Sequence, residues 1–363
     1  MIGTENQPLA VSPEPIIEPD LPIVDAHHHL WCRSEAVLVA IERDASEMAQ
    51  TLLPTFRRHA RYLADEYVAD LRSGHRVIAS VYVEAESMYR QNGPEAMKSV
   101  GEVEFANGVA AMSASGLYGD IRLCAAIVGG VDLRQGDAVR EVLLKHLQAG
   151  GGRYRGVRPK GVVYDEDPHS MGHFGGAAHA LLDQRFREGF RHLESLGLSC
   201  DAWQLEYQLA ELIDLVRVFP RTQFIINHLG GLFGVGRHTG RKDARFVAWR
   251  KQLQTLAGFP NVAIKLGGLG MPTTGLSAAR SALASESEQL AQRWRPYIET
   301  CIELFGVDRC MFESNFPVDA ATTTYPVLWN AYKRIVGGAS VDEKAALFSG
   351  TALRLYRLPV QAA

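Results

Sequence analysis

Two histidines spaced two residues apart, His27 and His29, stand in the run Val24-Asp25-Ala26-His27-His28-His29-Leu30-Trp31. The apolar lead-in predicts a strand, and side-chain alternation then sends both imidazoles to one side with His28 facing away. Imidazoles that converge on one point suit a divalent metal or a proton-transfer site. Other costly side chains recur at the ends of apolar runs. Tyr82 and Glu84 are expected on one face of Ser80-Val81-Tyr82-Val83-Glu84, and Arg158 and Lys160 on one face of Gly156-Val157-Arg158-Pro159-Lys160. Asp201 follows Leu198, His228 ends Ile225-Ile226-Asn227-His228, Lys265 lies inside Val262–Leu266, and Glu313 aligns with Asn315 in Cys310–Pro317. A lone Lys or Glu at a strand end is ordinarily a solvated rim charge. Charged groups inside apolar strands are costly unless they pair or work, so their recurrence implies one shared polar cavity.

The runs that position these residues form eight candidate strands: Ile23–Leu30, Arg76–Ala85, Leu123–Val131, Tyr154–Gly161, Leu198–Trp203, Gln223–Leu229, Val262–Gly267 and Arg309–Pro317. Helical patterns separate them, among them Leu53–Ser73, Glu95–Ser115, Asp137–Ala149, Ala177–Ser195, Glu206–Val218, Asp243–Ala257 and Leu283–Phe305. Such alternation predicts a parallel sheet covered by helices. Eight repeats predict an α/β fold closed into a (β/α)8 TIM barrel, one domain over residues 22–358 with long βα-loop insertions. An open doubly wound sheet competes, but no G-x-G-x-x-G turn follows the first strand. Residues 1–21, with Ser12-Pro13-Glu14-Pro15, predict an extended or disordered N-terminal tail. The insertions are Cys32–Gly74, with its Arg-rich Phe56–Tyr62 stretch; Val162–Gly176, whose His169 and His173 read as solvated; and the Gly-rich lid candidate Gly231–Asp243.

The chain has 363 residues, 47% hydrophobic and 22% charged, enough for a large core. A net charge of −3 without a basic run argues against a nucleic-acid partner. The five scattered cysteines lack C-x-x-C spacing, which points to reduced thiols and a cytoplasmic setting. No run of 18 apolar residues exists, so no membrane span is expected. A homodimer is expected only because two-fold symmetry is common.

The first-strand H-x-H run, Ile226-Asn227-His228-Leu229-Gly230-Gly231 and Cys310-Met311-Phe312-Glu313-Ser314-Asn315-Phe316-Pro317 resemble the motifs of the amidohydrolase superfamily. The match is to its amidohydrolase-2 family of metal-dependent TIM-barrel hydrolases, which includes lactonases of sugar acids and dicarboxylates. Arg155-Gly156-Val157-Arg158, Lys265-Leu266-Gly267-Gly268 and Gly350-Thr351-Ala352 support the resemblance, which spans residues 22–358. In that family the eighth strand commonly ends Ser-Asp-Trp-Pro, its aspartate ligating metal and acting as base toward water. Here the stretch reads Ser314-Asn315-Phe316-Pro317. An amide takes up no proton at neutral pH and is a poor ligand.

The resemblance implies hydrolysis of a lactone of a small carboxylated substrate by activated water. Arg158, Lys160 and Lys265, with Tyr82, are then the substrate-binding set. Glu313, Glu84 and Asp201 are the candidates for the base, although Glu313 has the alternative of a structural ion pair with Lys265. His27, His29 and His228 would supply nitrogens to one divalent metal, zinc before manganese. Catalysis without metal stays equally open, the three histidines then serving as hydrogen-bonding and proton-transfer groups. Two other readings remain: a zinc-dependent decarboxylase of an aromatic or unsaturated acid, and a catalytically silent barrel that binds a small anion.

Overall fold

Eight parallel strands follow one another around the sheet in chain order. They are β1 (Ile23–His28), β2 (Val77–Val83), β3 (Arg122–Val131), β4 (Tyr154–Pro159), β5 (Ser199–Ala202), β6 (Phe224–Ile226), β7 (Val262–Leu266) and β8 (Cys310–Phe312). This computed structural model describes residues 14–240, 242–276 and 287–359. All eight expected strands are present, with helices between them. The seam closes beyond the last strand: Asn315 N donates to His27 O and His29 N to Phe316 O, each at 2.8 Å.

Alternation along the strands sorts the apolar residues into two layers. Val24, Ala26, Ala79, Val81, Ile225, Ala263 and Met311 pack inside the barrel, where small side chains fit the narrow interior. Phe224, Ile226, Ile264, Leu266 and Phe312 face the helices. Each such side chain removed from water contributes roughly 1.5–3 kcal/mol. Tyr356 and Leu358, near the chain's end, pack with the inner cluster.

Strand β1 departs from alternation once, and the site depends on it. Val24 and Ala26 face inward, yet His28 stacks outward on Tyr67, their ring centroids 4.1 Å apart. The pairing of β1 with β2 shifts register between Asp25 and His28. This bulge turns His27 into the barrel directly after Ala26, the re-aiming that bulges provide beside functional sites.

The first insertion corrects an expectation. Leu53–Ser73 is not one helix: after α1 (Glu35–Arg43), the end of α2 (Glu47–Arg58) and all of α3 (Ala64–Leu71) fall in that segment. Between α2 and α3, Arg61–Tyr62 pairs antiparallel with Trp31–Cys32. That tertiary pairing overrides the local helical pattern and ties the insertion to the end of β1. Of the expected tail, residues 1–13 lie outside the described residues, as do residues 283–286 at the start of the expected Leu283–Phe305 helix. Residues 14–21 are held by the helix Tyr325–Ile335: Lys333 Nζ donates to Ile17 O and Glu18 O, and Ile17 N to Asn330 Oδ1.

Candidate active site

A cavity of about 1170 Å³ opens at the C-terminal ends of the strands, lined by His29, Glu84, Arg158, Lys160, His228 and Asn315 among others. This is the active face of such barrels. The remaining candidates divide in two. His27, Asp201, Lys265 and Glu313 are wholly buried beneath its floor, and Tyr82 faces outward from β2.

The floor is a polar layer resting on the inner apolar cluster. Lys265 Nζ donates to Asp201 Oδ2 at 2.8 Å, and Tyr356 Oη donates to the same oxygen at 2.6 Å. Lys265 Nζ also lies 3.3 Å from His27 Nδ1. The Glu313–Lys265 ion pair allowed by the sequence is therefore not formed. Glu313 instead accepts from His228 Nδ1 at 2.7 Å, and its Oε2 lies 2.9 Å from His27 Nδ1. Two glycines make room for this. A Cβ on Gly267 would stand 2.3 Å from Glu313 Cγ, and one on Gly268 2.5 Å from His228 Nδ1.

At the top of this layer, the Nε2 atoms of buried His27 and of cavity-lining His29 are 3.2 Å apart. The His27 and His228 ring centroids are 4.6 Å apart. His29 Nδ1 donates to Val83 O at 2.8 Å, which leaves its Nε2 with a lone pair. Burial is the first cause holding both His27 and His29 well below the ordinary imidazole pKa; neighbouring Lys265 acts further on His27 and Arg158 on His29.

These atoms fit a metal. Two nitrogens about 2.0–2.1 Å from one tetrahedral ion stand about 3.3 Å apart, close to the His27–His29 spacing. The ligand atoms of His27, His228 and Glu313 all lie within 4.8 Å of one another. Glu313 Oε2, buried without a hydrogen-bond partner, is where a metal-bound His27 would place its Nδ1 proton. The lysine argues the other way. Lys265 only donates, so its bond to His27 Nδ1 makes that nitrogen an acceptor and leaves the ring proton on Nε2, toward His29.

Tyr82 is the clearest correction. Its hydroxyl donates to Glu102 at 3.0 Å in the helical layer, because β2 keeps strict alternation through Val83 and turns only afterwards. Glu84 reaches the cavity beyond that turn and accepts from Arg158 Nε at 2.6 Å, while Arg158 Nη2 donates to the Glu84 carbonyl. Lys160 pairs with Glu86 at 2.8 Å. In the loops, His173 pairs with Asp44 and lines the cavity, whereas His169 is exposed.

Asn315 has a positive φ of 53°, which asparagine tolerates better than most residues. Its Nδ2 donates to Asp319 Oδ1 at 2.8 Å, and Asp319 Oδ2 accepts from Gly270 N. Burial raises the Asp319 pKa well above the ordinary range. Sequence reasoning missed Asp319 and also Asp25. Asp25 accepts from Ser314 N and Oγ, Tyr67 Oη and Tyr325 Oη, knitting β1 to the end of β8. An acid two residues before His27 in an apolar run was the available signal for Asp25; nothing local marks Asp319.

Comparison with known proteins agrees with this architecture. The profile of the family described as Amidohydrolase matches residues 24–358. The uncharacterized protein y4mH of Sinorhizobium fredii is 31% identical over 354 residues, 93% of this chain and 99% of that one. An L-fucono-1,5-lactonase of Burkholderia multivorans is 26% identical over 237 residues, 65% of this chain and 72% of that one. Among solved structures, an amidohydrolase from Burkholderia multivorans with bound zinc shares the fold at a TM-score of 0.68 and 23% identity, covering 93% of this chain and 99% of that one.

Proposed function

The chain belongs to the amidohydrolase family, and from that premise we propose that it is a lactonase, opening the cyclic ester of a small carboxylated substrate with an activated water. His228 carries this reading: Glu313 fixes its Nδ1 at 2.7 Å while the residue lines the cavity. With Nδ1–H donated, Nε2 keeps its lone pair. His228 takes a proton from water as the oxygen attacks the ester carbonyl, then gives it to the ring oxygen as the C–O bond breaks. Glu313 is a positioning residue, oriented like the carboxylate behind a catalytic histidine. Arg158, held by Glu84 through Nε and Nη2, keeps Nη1 for the developing oxyanion. Asn315 Oδ1 accepts a hydrogen bond from the water and orients it, and the proton passes to His228. This divides between two residues the work that the family resemblance assigns to one aspartate at the end of the eighth strand.

His27 and His228, with Glu313 in reach of both and His29 Nε2 beside His27, would hold a zinc or manganese ion, which when bound supplies Lewis acidity to the carbonyl and a more acidic water. The Lys265 contact to His27 favours the proton-transfer reading over it. Support for lactone chemistry also comes from the lactonase-named relative, at low identity.

A panel of neutral and carboxylated lactones, followed by proton release, tests the reading. Hydrolysis of at least one carboxylated lactone that survives exhaustive chelation is expected. Carbon dioxide release from an aromatic acid, without lactone opening, would replace the reading with a decarboxylase.

A further inference from the structure

The cations the sequence offered for a substrate carboxylate are already paired: Arg158 with Glu84, Lys160 with Glu86 and Lys265 with Asp201. Each pair is close to neutral, and Lys265 does not reach the cavity. Arg33 is different. Its guanidinium carbon lies 4.6 Å from the Trp31 ring centroid and 4.3 Å from that of Phe56, so two aromatic faces hold it. Its Nε is buried without a hydrogen-bond partner, and no carboxylate among the described residues lies within ion-pair distance. Arg33 lines the cavity that holds His29 and His228. Arg43, the other lining guanidinium without an ion pair among the described residues, is solvated at the end of α1.

The acids whose field reaches Arg33 have other partners. Glu84 and Glu86 hold Arg158 and Lys160, and Glu102 accepts from Ala85 N, Ser87 N and Tyr82 Oη. Burial pulls the Arg33 pKa down, yet a guanidinium stays protonated in a protein. A mostly enclosed, unmatched cation beside a cavity is costly unless an anion completes it. Position supplies the rest. His29, Trp31 and Arg33 follow at every second residue; the Trp31 ring lies 6.0 Å from that of His29 and separates it from the guanidinium. Four residues of extended chain reach at most about 14 Å.

We infer that Arg33 is the anchor for a carboxylate on the substrate, held one indole's width from His29, so that the favoured lactone carries its carboxylate several bonds from the ester. The inference rests on the lactonase reading for the word lactone, but not for the anion. The flat fork of the guanidinium meets a carboxylate through two parallel hydrogen bonds, and the rings hold it ready before the substrate arrives. A neutral sugar lactone leaves this cation unmatched and gains nothing from it.

Arg33→Met and Arg33→Lys test the assignment. On a carboxylated lactone, R33M is expected to raise KM about 10- to 100-fold, the weight of a charge-assisted hydrogen bond, with kcat within threefold. A neutral lactone of the same ring size should change less than twofold. R33K, which keeps the charge and loses the fork, should recover part of the loss. Equal losses on both lactones, or none, would overturn the assignment. A second arm is independent of hydrolysis: calorimetric titration with glutarate and with its uncharged counterpart glutaramide. Wild type should bind glutarate at least tenfold more tightly than R33M does, with glutaramide alike in both. Failure of lactone turnover with this difference intact would sink the lactonase reading alone. Glutarate binding equally to both proteins, or to neither, would sink Arg33.

Discussion

Replacing Lys265 with methionine removes the only cation bonded to Asp201 among the described residues, and both side chains are fully buried. At 2.8 Å the two charges attract by about 6 kcal/mol at the effective dielectric of about 20 that suits proteins. Part of that is recovered in the variant, because Tyr356 Oη still donates to Asp201 Oδ2 at 2.6 Å. Truncating one partner of a buried pair costs about 3–5 kcal/mol, and K265M should fall in that range by equilibrium urea unfolding. The double variant K265M/D201N removes the stranded charge and should recover about 2–3 kcal/mol of the loss, a coupling that a double-mutant cycle reads directly. In kinetics, K265M should leave KM for a carboxylated lactone within about twofold, because Lys265 does not reach the cavity. The reasoning is refuted if K265M costs less than about 1 kcal/mol and selectively raises that KM, because Lys265 would then be a substrate-binding cation.

Two further outcomes follow from neighbouring contacts. Asn315→Asp sets a second buried carboxyl 2.8 Å from Asp319 Oδ1, and the two must share a proton. The added carboxyl, buried beside Asp319, ionises less readily in the folded than in the unfolded chain, so the folded variant keeps one proton more than the parent does, a proton that the unfolded variant has released. Its stability deficit against the parent should therefore be small near pH 4, grow as the pH rises above the ordinary aspartate range and reach about 2–4 kcal/mol at pH 8; urea unfolding that shows no such trend would place position 315 away from Asp319. Gly268→Ala puts a methyl 2.5 Å from His228 Nδ1 at a backbone φ of +72°. It should cut kcat about 100-fold by moving the imidazole, with little change in far-ultraviolet circular dichroism, and a variant with wild-type kcat would mean that His228 need not stay where Glu313 holds it.

The strands were legible because each is a short apolar run whose alternate residues meet two different packing layers. Ile225 inside, between Phe224 and Ile226 outside, needs only that rule. The approximate membership of the site was legible for a related reason: His228, Glu313 and Lys265 interrupt runs where a charge or imidazole has no local excuse. What alternation cannot show is a slip in its own phase. The bulge in β1 is set by pairing with β2, and Tyr82 was misplaced because the turn that carries Glu84 inward comes after Val83. The choice of ion-pair partners was equally hidden. Lys265 had Glu313 after the adjacent strand β8, yet it pairs with Asp201 from β5, two strands away across the barrel interior, a contact that strand order alone does not suggest. Arg33 was missed because its signal is the absence of a carboxylate across tertiary space, and because the ribbon that aims it was read as part of a helix-bearing insertion.

The most direct test of the account compares initial rates of lactone opening by wild type and His228→Asn, read as proton release under identical conditions. Asparagine donates to Glu313 as the imidazole does but cannot take up a proton, so the floor stays assembled while the base is lost. The account predicts ready opening of a carboxylated lactone by wild type and a rate about 10²- to 10⁴-fold lower for H228N, at unchanged stability within about 1 kcal/mol. A variant that keeps the wild-type rate would contradict the claim that His228, backed by Glu313, carries the proton.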